Sequence, residues 1–281
     1  MLSPTNLAKF RIFRQNVMER VGLDDSQISI ISYPKSGRTW LRALIGKAVC
    51  EQYHIGEDLL LDTYTLAKKA GILTTRFTHD GGEIVEGTHY KDLPVDRSKF
   101  RNQKVVFIVR DPRDVLVSCY FQAIKRVEVF EGPIPAFIRD ERFGIRKYVH
   151  WLNIWHLNQI YPKEFLFLSY EEMHASIPDV LRQVLEFMDA SNISDAVIDS
   201  AVQFGGFESM REMEKKDQFG LEWMRPGDVN DPESYKVRRG KVGGYTDYLN
   251  PDDVAYIDNS VNEIGCPFLR QYYDQKIGVL E

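Results

Sequence analysis

The chain has 281 residues, of which 43% are hydrophobic and 27% are charged, and its formal net charge is −5. This composition is typical of a globular protein with a sizeable core and excludes a largely disordered chain. The acidic balance disfavours a nucleic-acid-binding protein, because such proteins usually carry a basic surplus. Three widely spaced cysteines, Cys50, Cys119 and Cys266, form no metal-ligand pair and indicate a reducing, cytoplasmic compartment.

The N-terminal residues 1–20 mix Arg and Lys with apolar residues, so they lack the continuous apolar run of a signal peptide. We expect a surface helix there. No segment has the apolar length that is needed to span a bilayer, and no membrane partner is expected.

Helical and strand-like patterns alternate along the rest of the chain. This alternation predicts an α/β fold, in which a P-loop-like parallel sheet of roughly five strands is flanked by helices on both faces of a single domain, residues 1–281. The predicted strands are Ile28–Ser32, Thr74–Thr78, Lys104–Val109 and Phe165–Ser169. The predicted helices are Thr39–Gln52, Pro112–Arg126, Phe143–Gln159, Pro178–Met188, Asp195–Val202, Phe207–Glu214 and Pro251–Asn262. Residues 216–248 carry Gly and Pro without a sustained period, which predicts a lid or binding loop.

The segment SYPKSGRTW, residues 32–40, runs from a strand through a short loop into a helix. The backbone N–H groups of such a loop and of the helix N-terminus form a cradle for an anion. A Walker A loop has the order G-x-x-x-x-G-K-[ST], whereas here Lys35 precedes the only loop glycine, Gly37. The loop is therefore too short to wrap a triphosphate, and we expect it to hold one terminal nucleotide phosphate with Lys35 as a charged donor.

The residues YPKSGRTW resemble the 5′-phosphosulfate loop of the cytosolic-type sulfotransferases, which use 3′-phosphoadenosine 5′-phosphosulfate (PAPS) as donor. Only Arg38 departs from the family pattern, which has a second Thr at that position. The resemblance implies that Lys35 is the catalytic lysine and that Trp40 stacks on the adenine. It further implies PAPS as cosubstrate, no metal, and donor contacts from Lys35, Ser36, Gly37, Arg38, Thr39 and Trp40.

A second strand, turn and helix follow in KVVFIVRDPRDVLVSCYF. Arg110 lies at the strand end, where open α/β sheets place ligand contacts, and Ser118 lies about two turns into the helix. The resemblance implies that these two residues form the 3′-phosphate site. Arg113 and Asp114 are expected to be a solvated pair of helix-start charges.

Two more segments extend the resemblance. Tyr170 follows a strand and matches the family tyrosine near the adenine, and Phe207 keeps the ring of a Thr-Ser-Phe run whose hydroxyl residues are glycines here. The segment VRRGKVGGY resembles the R-K-G-x-x-G-D-W segment that closes over the 3′-phosphate. It implies further donor contacts from Arg238, Arg239 and Gly240.

The family takes the acceptor proton with a histidine in a K-T-H run after a strand. This chain offers His79 in RFTHD and His89 in EGTHY. We favour His79, because the better strand precedes it and Asp80 can orient its imidazole, but His89 stays open. Phe77 stands in place of the family lysine before His79, and we hypothesise that Arg38 restores the lost positive charge.

The sequence therefore predicts transfer of the PAPS sulfuryl group to a hydroxyl, or an amine, of a small-molecule acceptor. Two alternatives stay open: a nucleotide-binding regulatory protein without catalysis on the same fold, and a P-loop nucleotide kinase. The acceptor and the oligomeric state are not predicted. Candidate acceptor-pocket residues are the aromatic side chains Tyr64, Phe121, Phe130, Phe143, Tyr148 and Trp151 together with residues 216–235.

Overall fold

A computed structural model describes residues 25–190 and 192–273. Its strands are β1 (Ile28–Ser32), β2 (Thr75–Thr78), β3 (Lys104–Val109) and β4 (Glu164–Ser169). Its helices are α1 (Arg38–Gln52), α2 (Thr63–Ala70), α3 (Pro112–Lys125), α4 (Ile134–Arg139), α5 (Ile145–Asn158), α6 (Tyr170–Ala175), α7 (Ile177–Phe187), α8 (Asp195–Phe204), α9 (Phe207–Lys215) and α10 (Pro251–Ile264). The surface helix expected within residues 1–20 lies outside the described residues.

The strands form one sheet in the order β2-β1-β3-β4. β3 and β4 are parallel, with Lys104 opposite Glu164 and Val109 opposite Ser169. All of β1 and most of β3 are buried, as expected for strands of a parallel sheet with flanking helices. The predicted α/β class and parallel sheet are confirmed, but the described ranges contain four strands rather than roughly five.

Every predicted helix is present, but the periodic pattern does not predict the short helices α2, α4 and α6. Although the periodic pattern misses α2, capping residues mark both of its ends. The Asp62 carboxylate accepts a hydrogen bond from the Thr65 N–H at its start, and Gly71 ends it in the left-handed conformation. Six-residue helices such as α4 and α6 contain too few turns to show a helical period.

The chain forms two compact units, each built from segments that are distant in sequence. The first unit contains residues 25–30, Gly37–Thr78 and Glu172–Gly240. The second unit contains Ile31–Ser36, His79–Glu171 and residues 241–273. The single domain over residues 1–281 and the lid at residues 216–248 stay predictions.

The core of the second unit is rich in aromatic side chains. Phe107 of β3 stacks on Trp151 of α5 with ring centroids 5.3 Å apart, and Trp155 packs on Phe107 and Phe100. Such rings bury large apolar areas, so they fix α5 against the strand. This packing holds the end of β3, where Arg110 follows.

One buried cluster of the first unit contains several methionines. Met210 and Met213 of α9 pack with Ala43 of α1, together with Leu221 and Met224. Leu221 and Met224 belong to the segment 216–248, which contains only short 3₁₀ turns such as Glu222–Met224. The irregular segment is therefore anchored to the first unit by buried side chains.

Candidate active site

The loop after β1 holds Lys35 in an unusual backbone conformation. Lys35 has a φ of 68°, a left-handed conformation that costs a non-glycine residue about 1–3 kcal/mol. The next residue, Ser36, is fully buried, and its Oγ has no hydrogen-bond partner within the described residues. The Cys119 thiol, whose pKa burial raises to about 12, donates to the Pro34 carbonyl beneath the loop. A strained lysine beside an unsatisfied hydroxyl is the kind of site that an anionic ligand completes.

Helix α1 begins in the first unit without a side-chain cap. Its N-cap is Gly37, whose φ of 91° favours glycine, and its first turn contains no acidic residue. The first intrahelical hydrogen bond runs from the Leu41 N–H to the Gly37 carbonyl at 3.0 Å. The preceding N–H groups, those of Arg38, Thr39 and Trp40, therefore have no partner inside the helix. This helix end fits a phosphate group, which the helix dipole also favours.

Arg110 ties three parts of the second unit together. Its guanidinium donates to the Lys35 carbonyl and to the Lys241 carbonyl, each at 3.0 Å. The same group lies 4.0 Å above the centroid of the Tyr170 ring, and its Nε is buried without a partner among the described residues. Tyr170 is buried at the start of α6, and Ser118 is buried in α3. The structure thus places Arg110 and Tyr170 in contact, as two predicted donor-binding residues.

The interpretation of Arg113 and Asp114 as solvated charges is wrong, because both side chains are buried. The Asp114 carboxylate accepts hydrogen bonds from the Gly243 N–H at 2.8 Å and the Tyr245 N–H at 2.9 Å. Arg113 forms an ion pair with Asp111, the N-cap of α3. Asp114 therefore fixes the start of the C-terminal segment, a role that the sequence pattern of a helix start does not reveal.

Trp40, in the first unit, contacts Gly205 through its indole N–H and His174 through its ring. Its Nε1 donates to the Gly205 carbonyl at 2.9 Å, and its ring centroid lies 4.9 Å from that of His174. A Cβ on Gly205 would lie 2.6 Å from Leu44 Cδ2 and 3.3 Å from Trp40 Nε1. The glycine that replaces a hydroxyl residue of the family run is thus required by close packing. His174, to which the sequence assigns no chemistry, supports the Trp40 ring.

Phe207, the first residue of α9, keeps 37% of its surface exposed. Gly240, with a φ of 56°, lies against this ring, since an added Cβ would come within 2.6 Å of Phe207 Cδ2. An exposed aromatic face supported by backbone is suited to stacking on a planar base. Of the neighbouring arginines, Arg238 forms an ion pair of 2.7 Å with Glu233, whereas Arg239 is exposed.

The two candidate histidines have different partners. His79 follows β2 directly, and its Nδ1 lies 2.7 Å from the Ser32 carbonyl oxygen at the end of β1. A carbonyl only accepts, so we assign the proton to Nδ1, which leaves the lone pair of the neutral ring on Nε2. His89 accepts at Nδ1 from the Lys91 N–H, and its Nε2 lies 2.8 Å from the Glu141 carboxylate.

Asp80 follows His79 directly in the sequence and has two cationic partners. Its carboxylate pairs with Arg97 and, at 2.8 Å, with Lys99. His79 Nδ1 lies 2.7 Å from the Ser32 carbonyl oxygen, so the main chain orients the imidazole. Orientation of the imidazole by Asp80 stays a prediction.

Three predicted acceptor-pocket residues belong to the core. Phe143, Tyr148 and Trp151 are buried within the aromatic core of the second unit. The Tyr148 hydroxyl donates to the Arg110 carbonyl at 2.8 Å, and Trp151 Nε1 donates to the Asp80 carbonyl at 3.1 Å. These side chains support the loops that carry Arg110 and His79.

The parallel sheet with flanking helices defines an α/β protein, and the start of α1 after β1 has no side-chain cap, as in proteins that bind phosphate groups at a helix N-terminus. Comparison with known families makes this class specific: the family described as "Sulfotransferase domain" matches residues 25–265. The chain belongs to this family and is a PAPS-dependent sulfotransferase. It is 30% identical to cytosolic sulfotransferase 17 of Arabidopsis thaliana over 83% of this chain and 72% of the relative. It is 27% identical to flavonol 3-sulfotransferase of Flaveria bidentis over 85% of this chain and 81% of the relative.

Solved structures share the fold. Mouse sulfotransferase SULT7A1 complexed with PAP matches with a TM-score of 0.57 at 20% identity, over 85% of this chain and 84% of that one. Retinol dehydratase in a complex with retinol and PAP matches with a TM-score of 0.60 at 15% identity, over 86% and 81%. Within residues 25–190 and 192–273, no group of three or more His, Cys, Asp or Glu side chains could hold a metal ion. No helix in those ranges is long and apolar enough to cross a membrane.

Proposed function

We propose that this sulfotransferase moves the sulfuryl group of PAPS to a hydroxyl, or less often an amine, of a small-molecule acceptor, with His79 as base and Lys35 at the leaving phosphate. The observation that carries the proposal is the loop after β1, where a left-handed Lys35 adjoins the buried, unsatisfied Ser36 hydroxyl. An ammonium at this point can stabilise the charge that develops on the phosphate oxygen.

The proposed donor-binding residues come from both units. For the 5′ end of the donor we propose the loop and helix-start residues Lys35, Ser36, Gly37, Arg38, Thr39 and Trp40. For the 3′-phosphate and the adenine we propose Arg110, Ser118, Tyr170, Phe207, Arg238, Arg239 and Gly240. When bound, PAPS supplies the activated sulfuryl group. Its charges match the guanidinium, ammonium and backbone N–H donors in this set.

We keep His79 as the proposed base, because the Ser32 carbonyl fixes the tautomer of its neutral ring. The Ser32 carbonyl holds the Nδ1 proton, so Nε2 can take the proton of an acceptor hydroxyl. Both ring nitrogens of His89 have hydrogen-bond partners: Nδ1 accepts from the Lys91 N–H, and Nε2 lies 2.8 Å from the Glu141 carboxylate. His89 therefore caps a 3₁₀ turn, and we assign it a structural role.

The cellular location of the protein and the role of the positive charge of Arg38 are also proposals. We place the protein in the cytoplasm, because the Arabidopsis relatives are named cytosolic sulfotransferases. The Arg38 hypothesis stays a prediction: Arg38→Ala should reduce turnover if its charge compensates for the lysine that Phe77 replaces.

Calorimetric titration and label transfer test the proposal together. We expect adenosine 3′,5′-bisphosphate (PAP) to bind and ATP to bind much more weakly, because the loop cannot wrap a triphosphate. We also expect transfer of radiolabelled sulfate from PAPS to members of a panel of phenols, alcohols and amines. Binding of PAP without transfer to any acceptor, or preference for ATP, would contradict the proposed function.

A further inference from the structure

Arg42 has an environment that none of the roles above explains. It lies on α1 one helical turn after Arg38, and its side chain is half-buried. Within residues 25–190 and 192–273, its buried Nε has no hydrogen-bond partner, and no carboxylate forms an ion pair with its guanidinium. Buried guanidinium groups are almost always hydrogen-bonded, because removing them from water is costly. An unsatisfied one therefore requires an explanation.

The electrostatic surroundings of Arg42 add to this deficit. Desolvation by burial and the nearby charge of Arg38 together lower the pKa of Arg42 to about 9, although the charge of Asp62 acts in the opposite direction. At neutral pH the group is still a cation. The site thus holds excess positive charge, which an anion would relieve.

Two aromatic rings hold the Arg42 guanidinium. Its central carbon lies 4.3 Å from the centroid of the Phe77 ring and 5.4 Å from that of the Trp223 ring. Cation–π attraction uses the face of the guanidinium, so it leaves the N–H groups in the plane of the group as donors. A planar fork of this kind matches a carboxylate, phosphate or sulfate in bidentate geometry.

Three residues of the first unit near Arg42 belong to segments that carry, or directly precede, residues of the proposed site. Phe77 lies on β2 two residues before His79, the proposed base. Trp223 belongs to the segment 216–248, the predicted lid or binding loop, and Arg38 begins α1 at the phosphate loop. Since one helical turn is about 5.4 Å, Arg42 lies farther along α1 than the N–H groups suited to the donor phosphate.

We propose that Arg42 binds an anionic group of the acceptor, so that the preferred substrates are hydroxyl compounds that also carry a carboxylate, phosphate or sulfate. This inference rests on the proposed function and names the acceptor class for the same site. Phe77 and Trp223 orient the guanidinium, and the bound anion supplies the missing hydrogen-bond acceptors.

The test compares acceptors that differ only in the anion. Label transfer from PAPS is measured for 4-hydroxyphenylacetate against 4-ethylphenol, with wild type, Arg42→Met, Arg42→Lys and Lys47→Met. Lys47→Met is the matched control, because it also removes a cation from α1. Unlike Arg42, Lys47 forms an ion pair, with Glu57. We expect wild type to prefer the carboxylated phenol, and Arg42→Met to lower kcat/KM for that phenol on the order of 10- to 100-fold. We expect less than about a 3-fold change for 4-ethylphenol, partial retention in Arg42→Lys and no change in Lys47→Met.

A second measurement separates the two possible sources of the anion. PAP affinity is determined by calorimetry, and so is 4-hydroxyphenylacetate affinity for the PAP-bound protein. Unchanged PAP affinity with lost 4-hydroxyphenylacetate binding in Arg42→Met supports the proposal. Weaker PAP binding in Arg42→Met would assign the anion to the donor and overturn it, as would equal loss with both phenols or a wild-type preference for 4-ethylphenol. These results differ from failure of the proposed function, in which no phenol, alcohol or amine receives label.

Discussion

The Arg110 guanidinium donates a hydrogen bond of 3.0 Å to the main-chain carbonyl of Lys35, 75 positions earlier in the chain. The residue proposed for the 3′-phosphate therefore also holds the loop proposed for the 5′ end of the donor. The strain in the Lys35 backbone is maintained by this contact and by the Cys119 thiol beneath Pro34. The two halves of the phosphate site should accordingly respond together to a change at Arg110.

Arg110→Lys should weaken PAP binding by about 10- to 100-fold. An ammonium cannot donate to the Lys35 and Lys241 carbonyls in fork geometry while stacking on Tyr170, and losing such hydrogen bonds costs about 1–3 kcal/mol. Calorimetric titration with PAP measures the change. Arg101→Lys is the control, because Arg101 is exposed. Equal PAP affinity in Arg110→Lys and wild type would remove Arg110 from the donor site.

Lys35→Met should reduce single-turnover label transfer about 10²- to 10³-fold, the usual cost of removing one donor to a developing charge. PAP affinity should fall much less, because the backbone donors of the loop and of α1 remain. Lys69→Met, at an exposed position of α2, is the control. If turnover and PAP affinity fall by the same factor, Lys35 binds the ground state and has no special role at the leaving phosphate.

His79→Asn should reduce kcat about 10²- to 10⁴-fold without unfolding the protein. The asparagine amide nitrogen takes the place of Nδ1 and can still donate to the Ser32 carbonyl, but the side chain cannot accept the proton of an acceptor hydroxyl. His89→Gln should stay within about 3-fold of wild type, since His89 serves Lys91 and Glu141. The opposite ranking of the two variants in a kcat measurement would transfer the role of base to His89.

The sequence predicts the strand, loop and helix around Lys35 well because this segment is local. The end of β1, Lys35, Gly37 and the start of α1 are consecutive, so turn chemistry and helix signals suffice. Arg110 is likewise found from its place at the end of β3. The fold class follows from the alternation of strand and helix patterns, which needs no knowledge of long-range contacts.

What the sequence does not predict are contacts between distant residues. Asp114 meets the N–H groups of Gly243 and Tyr245, and this pairing turns an expected surface charge into a buried anchor. The Arg110 guanidinium likewise donates to the main-chain carbonyl of Lys241, 131 positions later, a contact that no local pattern predicts. Periodicity indicates which face of a helix is apolar, but it does not indicate which polar groups meet across the fold.

Gly205→Ala should weaken PAP binding and destabilise the fold by about 1–3 kcal/mol, the usual cost of overpacking. Its new Cβ would lie 2.6 Å from Leu44 Cδ2 and would press on Trp40, the proposed adenine wall. Gly206→Ala is a matched control, because its Cβ would meet only the Gln203 carbonyl at 3.2 Å. Thermal unfolding and PAP titration of both variants measure the effect, and equal behaviour of the two would show that Trp40 is not held through Gly205.

Arg42→Met should stabilise the protein at pH 7 while it impairs use of anionic acceptors. The folded-state pKa of about 9 lies below the ordinary value of 12.5, so folding disfavours the charged form. This cost is fully present below pH 9 and declines as the pH rises from about 9 towards 12.5. One pKa unit corresponds to about 1.4 kcal/mol; after a discount for partial exposure and for lost cation–π attraction, we expect a gain of about 1–3 kcal/mol.

Urea unfolding at pH 7 and pH 10 measures the gain of Arg42→Met, which should be smaller at pH 10. Lys47→Met is the control with the opposite sign, because the hydrogen bond with Glu57 raises the pKa of Lys47 and its removal should cost less than about 1 kcal/mol. A loss of stability in Arg42→Met at pH 7 would show that the cation is a packing element. A gain of stability together with lost binding of the carboxylated phenol would mean that the chain keeps an unfavourable buried charge because a ligand completes it, as expected where stability is given up for function.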